Sequence, residues 1–187
     1  MGQKYSIEEL HRLSPEEYQE AEKLPIVVVL DNVRSLYNVG SFFRTVDALG
    51  AEGLLLCGIT GTPPHVEVHK SALGAEEVVR WQHVGVTADA VEELHRRGYQ
   101  VWAVEQARGS VDLADFGARC SLKDCNGIAL VFGHEVEGVQ QEVVDACDGC
   151  IELAQYGTKH SMNVSVTGGI VLWEIARVWR KERKRYE

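Results

Sequence analysis

Leu24-Pro25-Ile26-Val27-Val28-Val29-Leu30-Asp31-Asn32 carries the reading that decides the architecture. Ile26 to Leu30 is an uncharged β-branched run with no polar alternation, the composition of a strand buried on both faces. After a polar stretch comes Asn38 to Leu49, apolar at helical spacing and stopped by Gly50, a residue suited to the left-handed turn that ends a helix. Gly53 to Cys57 is the next apolar run, so the chain reads strand, helix, strand. Working outward, Val78 to Trp81, Tyr99 to Val104, Ile128 to Phe132 and Cys150 to Leu153 are four further candidate strands. Thr87 to Arg97 reads as a helix capped by Thr87 and stopped by Gly98. Doubly buried strands separated by helices predict an α/β fold, a mainly parallel six-stranded sheet flanked by helices.

The chain has 187 residues, the size of one domain. Residues 1–24 form a short N-terminal helical extension, where Ser14-Pro15-Glu16-Glu17 supplies an N-cap, a proline at the first helical position and a capping-box glutamate. Residues 25–187 form the domain proper. Its last segment, Asn163 to about Arg185, reads as one long helix with two apolar rows, Val164, Val171, Ile175, Val178 and Val166, Ile170, Trp173, Trp179. One row suffices to dock on a sheet; the second points either to a homodimer surface or to burial within the same chain. Gly168-Gly169 would permit close backbone approach.

Apolar residues make up 45% and charged residues 25%, which excludes a disordered or fibrous chain. No apolar run reaches the ~18 residues of a membrane span, and no basic-then-apolar leader is present. The expectation is a cytoplasmic protein with no membrane partner. The formal net charge of -9 means that the whole-molecule field does not attract nucleic acid. A local basic patch does exist: Arg177, Arg180, Lys181, Arg183, Lys184 and Arg185 face only Glu182 and Glu187 in the tail. It is either a solvated helix end favoured by the helix dipole or a polyanion contact.

Several familiar chemistries are excluded. The first strand is followed by Asp31-Asn32-Val33-Arg34-Ser35, with no glycine-rich dinucleotide loop. Gly133-His134-Glu135-Val136-Glu137-Gly138 is followed by Val139 where a phosphate-binding loop needs Lys. His65 and His69 are four apart but lack a third ligand. Cys120, Cys125, Cys147 and Cys150 superficially resemble a four-thiolate zinc site, yet an odd total of five cysteines and the strand-like Cys150-Ile151-Glu152-Leu153 favour reduced core thiols. No metal is expected.

Three strands run into polar or glycine-containing segments where α/β proteins place their binding chemistry. These are Asp31 to Thr45, Val131 to Val139 and Leu153 to Val166. Here the sequence resembles the SpoU/TrmH-type RNA 2'-O-ribose methyltransferases of the SPOUT superfamily. The family's N-x-G-x-x-x-R-T is similar to Asn38 to Thr45, its F-G-x-E-x-x-G to Phe132 to Gly138, and its G-x-x-x-S-L-N-V-S to Gly157 to Ser165. Order and spacing agree over about 130 residues from Leu30 onward. Met162 replaces the usual Leu, and Glu152-Leu153 stands where the family often has Pro-Met.

The resemblance implies a C-terminal trefoil knot, S-adenosyl-L-methionine as cofactor, RNA (tRNA or rRNA) as substrate, and the compact members that act as bare catalytic dimers. It assigns catalysis to Arg44, Asn38, Glu135, Ser161 and Asn163, and cofactor binding to Gly133, Ile151, Leu153, Gly157, Ser161 and Met162. Methylating a ribose hydroxyl requires losing its proton while the oxygen attacks a sulfonium methyl in line. Arginine stays protonated, so Arg44 would stabilise the developing alkoxide electrostatically. Asn38 and Asn163 carry both donors and acceptors, and Glu135 would fix that network. Read singly, Asn38, Ser161 and Asn163 are equally suited to capping helices. The competing function is a noncatalytic RNA-binding chaperone or assembly factor that keeps the fold.

Overall fold

The computed structural model describes residues 2, 4–6 and 8–183. A first helix, α1 (Pro15–Glu20), opens with the expected capping box at Ser14 and Glu17. The domain then runs β1 (Leu24–Asp31), α2 (Leu36–Leu49), β2 (Ala51–Cys57), α3 (Val66–Ala72), α4 (Ala75–Val78), β3 (Trp81–Val84), α5 (Thr87–Arg96), β4 (Tyr99–Val104) and β5 (Val111–Asp112). It continues through α6 (Phe116–Arg119), β6 (Gly127–Phe132), α7 (Gln141–Ala146), β7 (Gly149–Glu152) and α8 (Val164–Arg183). Every strand pair is parallel, in the order β3-β2-β1-β6-β4-β7-β5.

The sheet therefore has seven strands, not the expected six. The addition is β5, two residues pairing Val111 with Ile151 and Asp112 with Glu152. A pairing that short leaves no periodicity to read. The third expected strand is also displaced. Val78 ends the helical turn of α4, Val79 is buried in extended backbone, and pairing begins only at Trp81 opposite Leu54. That edge strand is mostly exposed, so Gln82 and His83 hide its identity. Thr87 is not the cap of α5: Val86 holds that position, and the buried Thr87 hydroxyl donates instead to Asp31 Oδ1 at 2.6 Å.

The core follows the pleat. Ile26, Val28 and Leu30 face one side, packed with α2 and α8, while Val27 and Val29 face the other, with α5 and α7. Complete burial of Ile26, Val28, Val29 and Leu30 explains why β1 shows no alternation. Gly50 ends α2 in the left-handed conformation at φ 64°. In α8, Val171, Ile175 and Val178 are buried together with Leu172 and Ala176. The second row divides: Trp179 is buried, but Val166, Ile170 and Trp173 are 53%, 41% and 63% exposed. The glycine pair divides likewise. A Cβ on Gly168 would lie 2.3 Å from the Phe42 ring of α2, so that glycine serves packing within the chain, while Gly169 faces open space.

Cys120 and Cys125 pack against one face of the sheet and Cys147 and Cys150 against the other, so the four thiols do not converge. Burial pushes the Cys147 thiol up to about 12. Among the described residues no helix is long and apolar enough to cross a membrane. In the basic tail Arg177 pairs with Glu174 at 2.5 Å and Arg180 donates to the Leu49 carbonyl at 3.2 Å; residues 184–187 lie outside the described residues.

Candidate active site

Because all strands run the same way, the loops after β1, β6 and β7 leave from one edge of the sheet. Ser35 caps α2, which places Asn38 in its first turn and 7% exposed. Asn38 Nδ2 donates to Glu135 Oε1 at 2.9 Å, while its Oδ1 accepts from Asn163 Nδ2 at 3.1 Å. Glu135 also accepts from the backbone amides of Arg34 (3.1 Å) and Ser35 (2.9 Å). Asn163 Oδ1 accepts from Ser165 N at 2.9 Å, Ser165 Oγ at 2.7 Å and Val166 N at 3.3 Å, so this residue also caps α8. Residues 38, 135 and 163, one from each island, thus form a single hydrogen-bonded chain.

Burial alone would raise the pKa of Glu135, but the Ser35 amide, the Asn38 side chain, the Arg34 amide and its own amide outweigh it and hold the carboxyl below its ordinary range. It is therefore an anion at neutral pH. Three donors from other residues already occupy it, which suits an orienting group better than a proton acceptor. Its loop is a tight hairpin in which His134 and Gly138 exchange backbone hydrogen bonds of 3.0 and 2.9 Å.

Beside this chain lies a cavity of about 460 Å³, within the usual range for small-molecule sites. Glu135 and Asn163 line it, as do Gly133, Ile151, Leu153, Ser161 and Met162. Val104, Ile151, Leu153 and Met162 give it an apolar wall, and Glu105 and Ser161 give it polar groups. A Cβ on Gly133 would come 2.1 Å from the Gly138 carbonyl carbon, so Gly133 is required to close the hairpin. Gly157 does not line the cavity and has open space where a Cβ would be. Arg44 is exposed on α2 and also lies outside the lining. Six residues beyond Asn38, it points about 120° away around the helix. Within one chain the structure does not bring Arg44 to the network.

Sequence reasoning missed Asp31 and Glu105. Both are carboxylates at the carboxyl end of a strand flanking β6. Asp31 is fully buried, with Oδ1 accepting from Thr87 and Asn32 and Oδ2 from Gln140 N at 2.9 Å. Glu105 accepts from Gln106 N at 2.8 Å and Val139 N at 3.0 Å. An acidic residue directly after an apolar run was the available signal for both.

A parallel sheet whose binding cavity is assembled by three loops over the carboxyl ends of its strands defines an α/β ligand-binding domain of the open-sheet class. A sequence model of the SpoU rRNA Methylase family matches residues 25–173, and the chain belongs to that family. It is 32% identical over 167 residues to a Bacillus subtilis protein assigned to the TrmH family of tRNA/rRNA methyltransferases, covering 85% of this chain and 61% of that one. The crystal structure of the A. aeolicus TrmH/SpoU tRNA modifying enzyme superposes with a TM-score of 0.76 at 27% identity, over 92% of this chain and 85% of that one. The AdoMet-bound rRNA methyltransferase of Sinorhizobium meliloti gives 0.74 at 29% identity, over 89% and 61%. The chain spans about three-fifths of the length of the curated relatives it matches.

Proposed function

We propose that this chain is an S-adenosyl-L-methionine-dependent RNA ribose 2'-O-methyltransferase acting on tRNA or rRNA, with residues 25–187 as the methyltransferase domain. The observation that carries the reading is the Glu135–Asn38–Asn163 hydrogen-bond chain at the rim of a cavity suited to an adenosine-sized ligand. S-adenosyl-L-methionine would supply an electrophilic methyl on a sulfonium; the residues present fit it, with an apolar wall for adenine and polar groups beside it. Ile151, Leu153, Ser161 and Met162 would hold it, with Gly133 and Gly157 shaping the flanking loops.

On the acceptor side, Glu135 fixes which face of the Asn38 amide is donor and which acceptor. Asn38 in turn fixes Asn163, so both amides stand preset to orient a ribose hydroxyl without reorganising. Ser161 adds a hydroxyl to the same cavity. Arg44, free of the cavity in its own chain, acts on the RNA side by stabilising the alkoxide as the hydroxyl proton leaves.

The exposed Val166, Ile170 and Trp173, continuous with Leu153 and Tyr156, support a homodimer formed through α8. A trefoil knot is supported by the sheet order. β7 lies between β4 and β5, so the connection 105–110 passes the end of β7, and Gln106 Nε2 donates to the His160 carbonyl in the segment after β7 at 2.9 Å. A cytoplasmic location accords with an RNA substrate.

The deciding experiment maps 2'-O-methyl sites in RNA from cells with and without the protein, beside cofactor calorimetry on the purified chain. Loss of one or more sites is expected. No heat at millimolar cofactor would favour the noncatalytic RNA-binding alternative. Arg44→Ala is expected to lower methyl transfer by at least about 100-fold while leaving cofactor affinity unchanged; retained turnover would remove Arg44 from the chemistry.

A further inference from the structure

Two carboxylates grip the exit of the Glu135 hairpin at consecutive backbone amides: Glu105 takes Val139 N at 3.0 Å, and Asp31 takes Gln140 N at 2.9 Å. They come from the ends of β4 and β1, the strands on either side of β6. Their surroundings differ. Asp31 is sealed at 0% exposure and has three donors, two of them side chains. Glu105 lines the cavity, and each of its oxygens holds one backbone donor. A carboxylate offers about four acceptor positions, so the two Glu105 oxygens retain capacity for further donors.

We infer that Glu105 is a cofactor-binding residue whose carboxylate accepts hydrogen bonds from the vicinal hydroxyls of an adenosine ribose. The inference rests on the cofactor reading given above. Three observations support it. The backbone pins both oxygens, so the acceptor is rigid before anything binds, and little ordering cost remains. Position gives the second. Glu105 N donates to the Ile151 carbonyl at 3.1 Å, beside the apolar wall that suits adenine, and its side chain reaches Val139 on the hairpin that carries Glu135. In an adenosyl sulfonium the ribose lies between base and sulfur, so a group between the apolar wall and the acceptor network meets the ribose. The third is Gly138, at φ 73°, where a Cβ would lie 2.2 Å from Glu105 Oε2; the hairpin leaves that space to the carboxylate. An acidic side chain at a strand end is also the usual solution for a ribose diol in open α/β sheets.

The test is calorimetric and needs no RNA. Wild-type protein and Glu105→Gln are each titrated with S-adenosylhomocysteine and with its 2'-deoxy and 3'-deoxy forms, with far-ultraviolet circular dichroism confirming the fold of the variant. A hydrogen bond to a charged acceptor predicts that the wild type binds at least one deoxy form about 10- to 100-fold more weakly than the parent. In Glu105→Gln the parent should weaken by a similar factor and the deoxy penalty should shrink to about 3-fold or less. Heat from the parent ligand with no deoxy penalty in the wild type overturns the inference alone, as does an equal penalty in both proteins. If the variant fails to fold, the wild-type series still decides through its deoxy penalty. No heat from any ligand with the wild type removes the cofactor reading and this inference with it.

Discussion

At the amino-terminal edge of the sheet Glu52 is matched by Arg97 at 2.5 Å and by the Tyr99 hydroxyl, with the guanidinium stacked 4.8 Å over the Tyr99 ring. At the carboxyl edge Asp31, Glu105 and Glu135 accept from amides, a hydroxyl and asparagine, with no ion pair to any of them among the described residues. The first arrangement closes on itself: charge meets charge, and Tyr99, lying over Gly127, spans from β4 to β2. In the second, neutral donors fix the carboxylates in place with no countercharge beside them, and at Glu135 they hold the carboxyl below its ordinary range. The same residue type thus staples one edge and prepares the other to orient a ligand.

Substitutions at the two edges should separate these roles. The largest effect is expected from Glu135→Ala, which frees Asn38 to rotate and leaves the Arg34 and Ser35 amides unpaired. Methyl transfer should fall about 100-fold, in kcat more than in the KM for RNA, because orientation and not contact is lost. Single-turnover assays would check this, and a kcat within threefold of wild type would assign Glu135 to loop folding alone.

Next in size is the oligomer. Trp173→Glu places a charge in the exposed α8 row and should convert the proposed dimer to a monomer at micromolar concentration, read by sedimentation velocity. An unchanged mass would return the row to a solvated face.

The acid limb of stability is a smaller effect with a defined sign. Glu135 has a folded pKa below its ordinary 4.5, so its contribution is present above that value and is lost as pH falls through the lowered folded value. The difference in Tm between wild type and Glu135→Gln should be widest near neutrality and close in the acid range below about 4.5. A difference that stays constant down to the acid transition would break the assignment.

The smallest effect belongs to the other edge. Burial, followed by the hydrogen bond to Glu52, pushes the Tyr99 phenol up to about 12, so it remains a donor throughout the neutral range. Tyr99→Phe should cost about 1 kcal/mol in urea unfolding and leave turnover unchanged. A turnover defect would mean that the two edges are coupled through β4.

How much was legible follows from what each element needed to signal. β1 and β6 are buried on both faces and read as uninterrupted apolar runs, while β4 alternates buried Tyr99, Val101 and Ala103 with half-buried neighbours, and both patterns mark a strand. β3 and β5 lie at the sheet's two edges, one exposed and polar, the other two residues long, and neither imposes a pattern on the chain. Asn38, Glu135 and Asn163 stood out because their motifs occur in order, but their meeting did not follow from spacing, since 97 and 125 residues separate the bonded pairs. Arg44 shares its motif with Asn38, and helical geometry turns it elsewhere. Glu105 belongs to no motif, and its place directly after an apolar run gained meaning only once the strand ends were side by side.

The sequence by itself determined most of the elements and the parallel sheet, because buried strands and helix ends are set by local composition and periodicity, and it pointed to the family because three motifs stand in order along the chain. Only the tertiary structure decided the strand order, which of the two α8 rows is buried, and which carboxylates meet ligand space and which are sealed. Those outcomes depend on contacts between segments far apart in the chain, and a carboxylate's role is set by the donors that surround it, which no local pattern records.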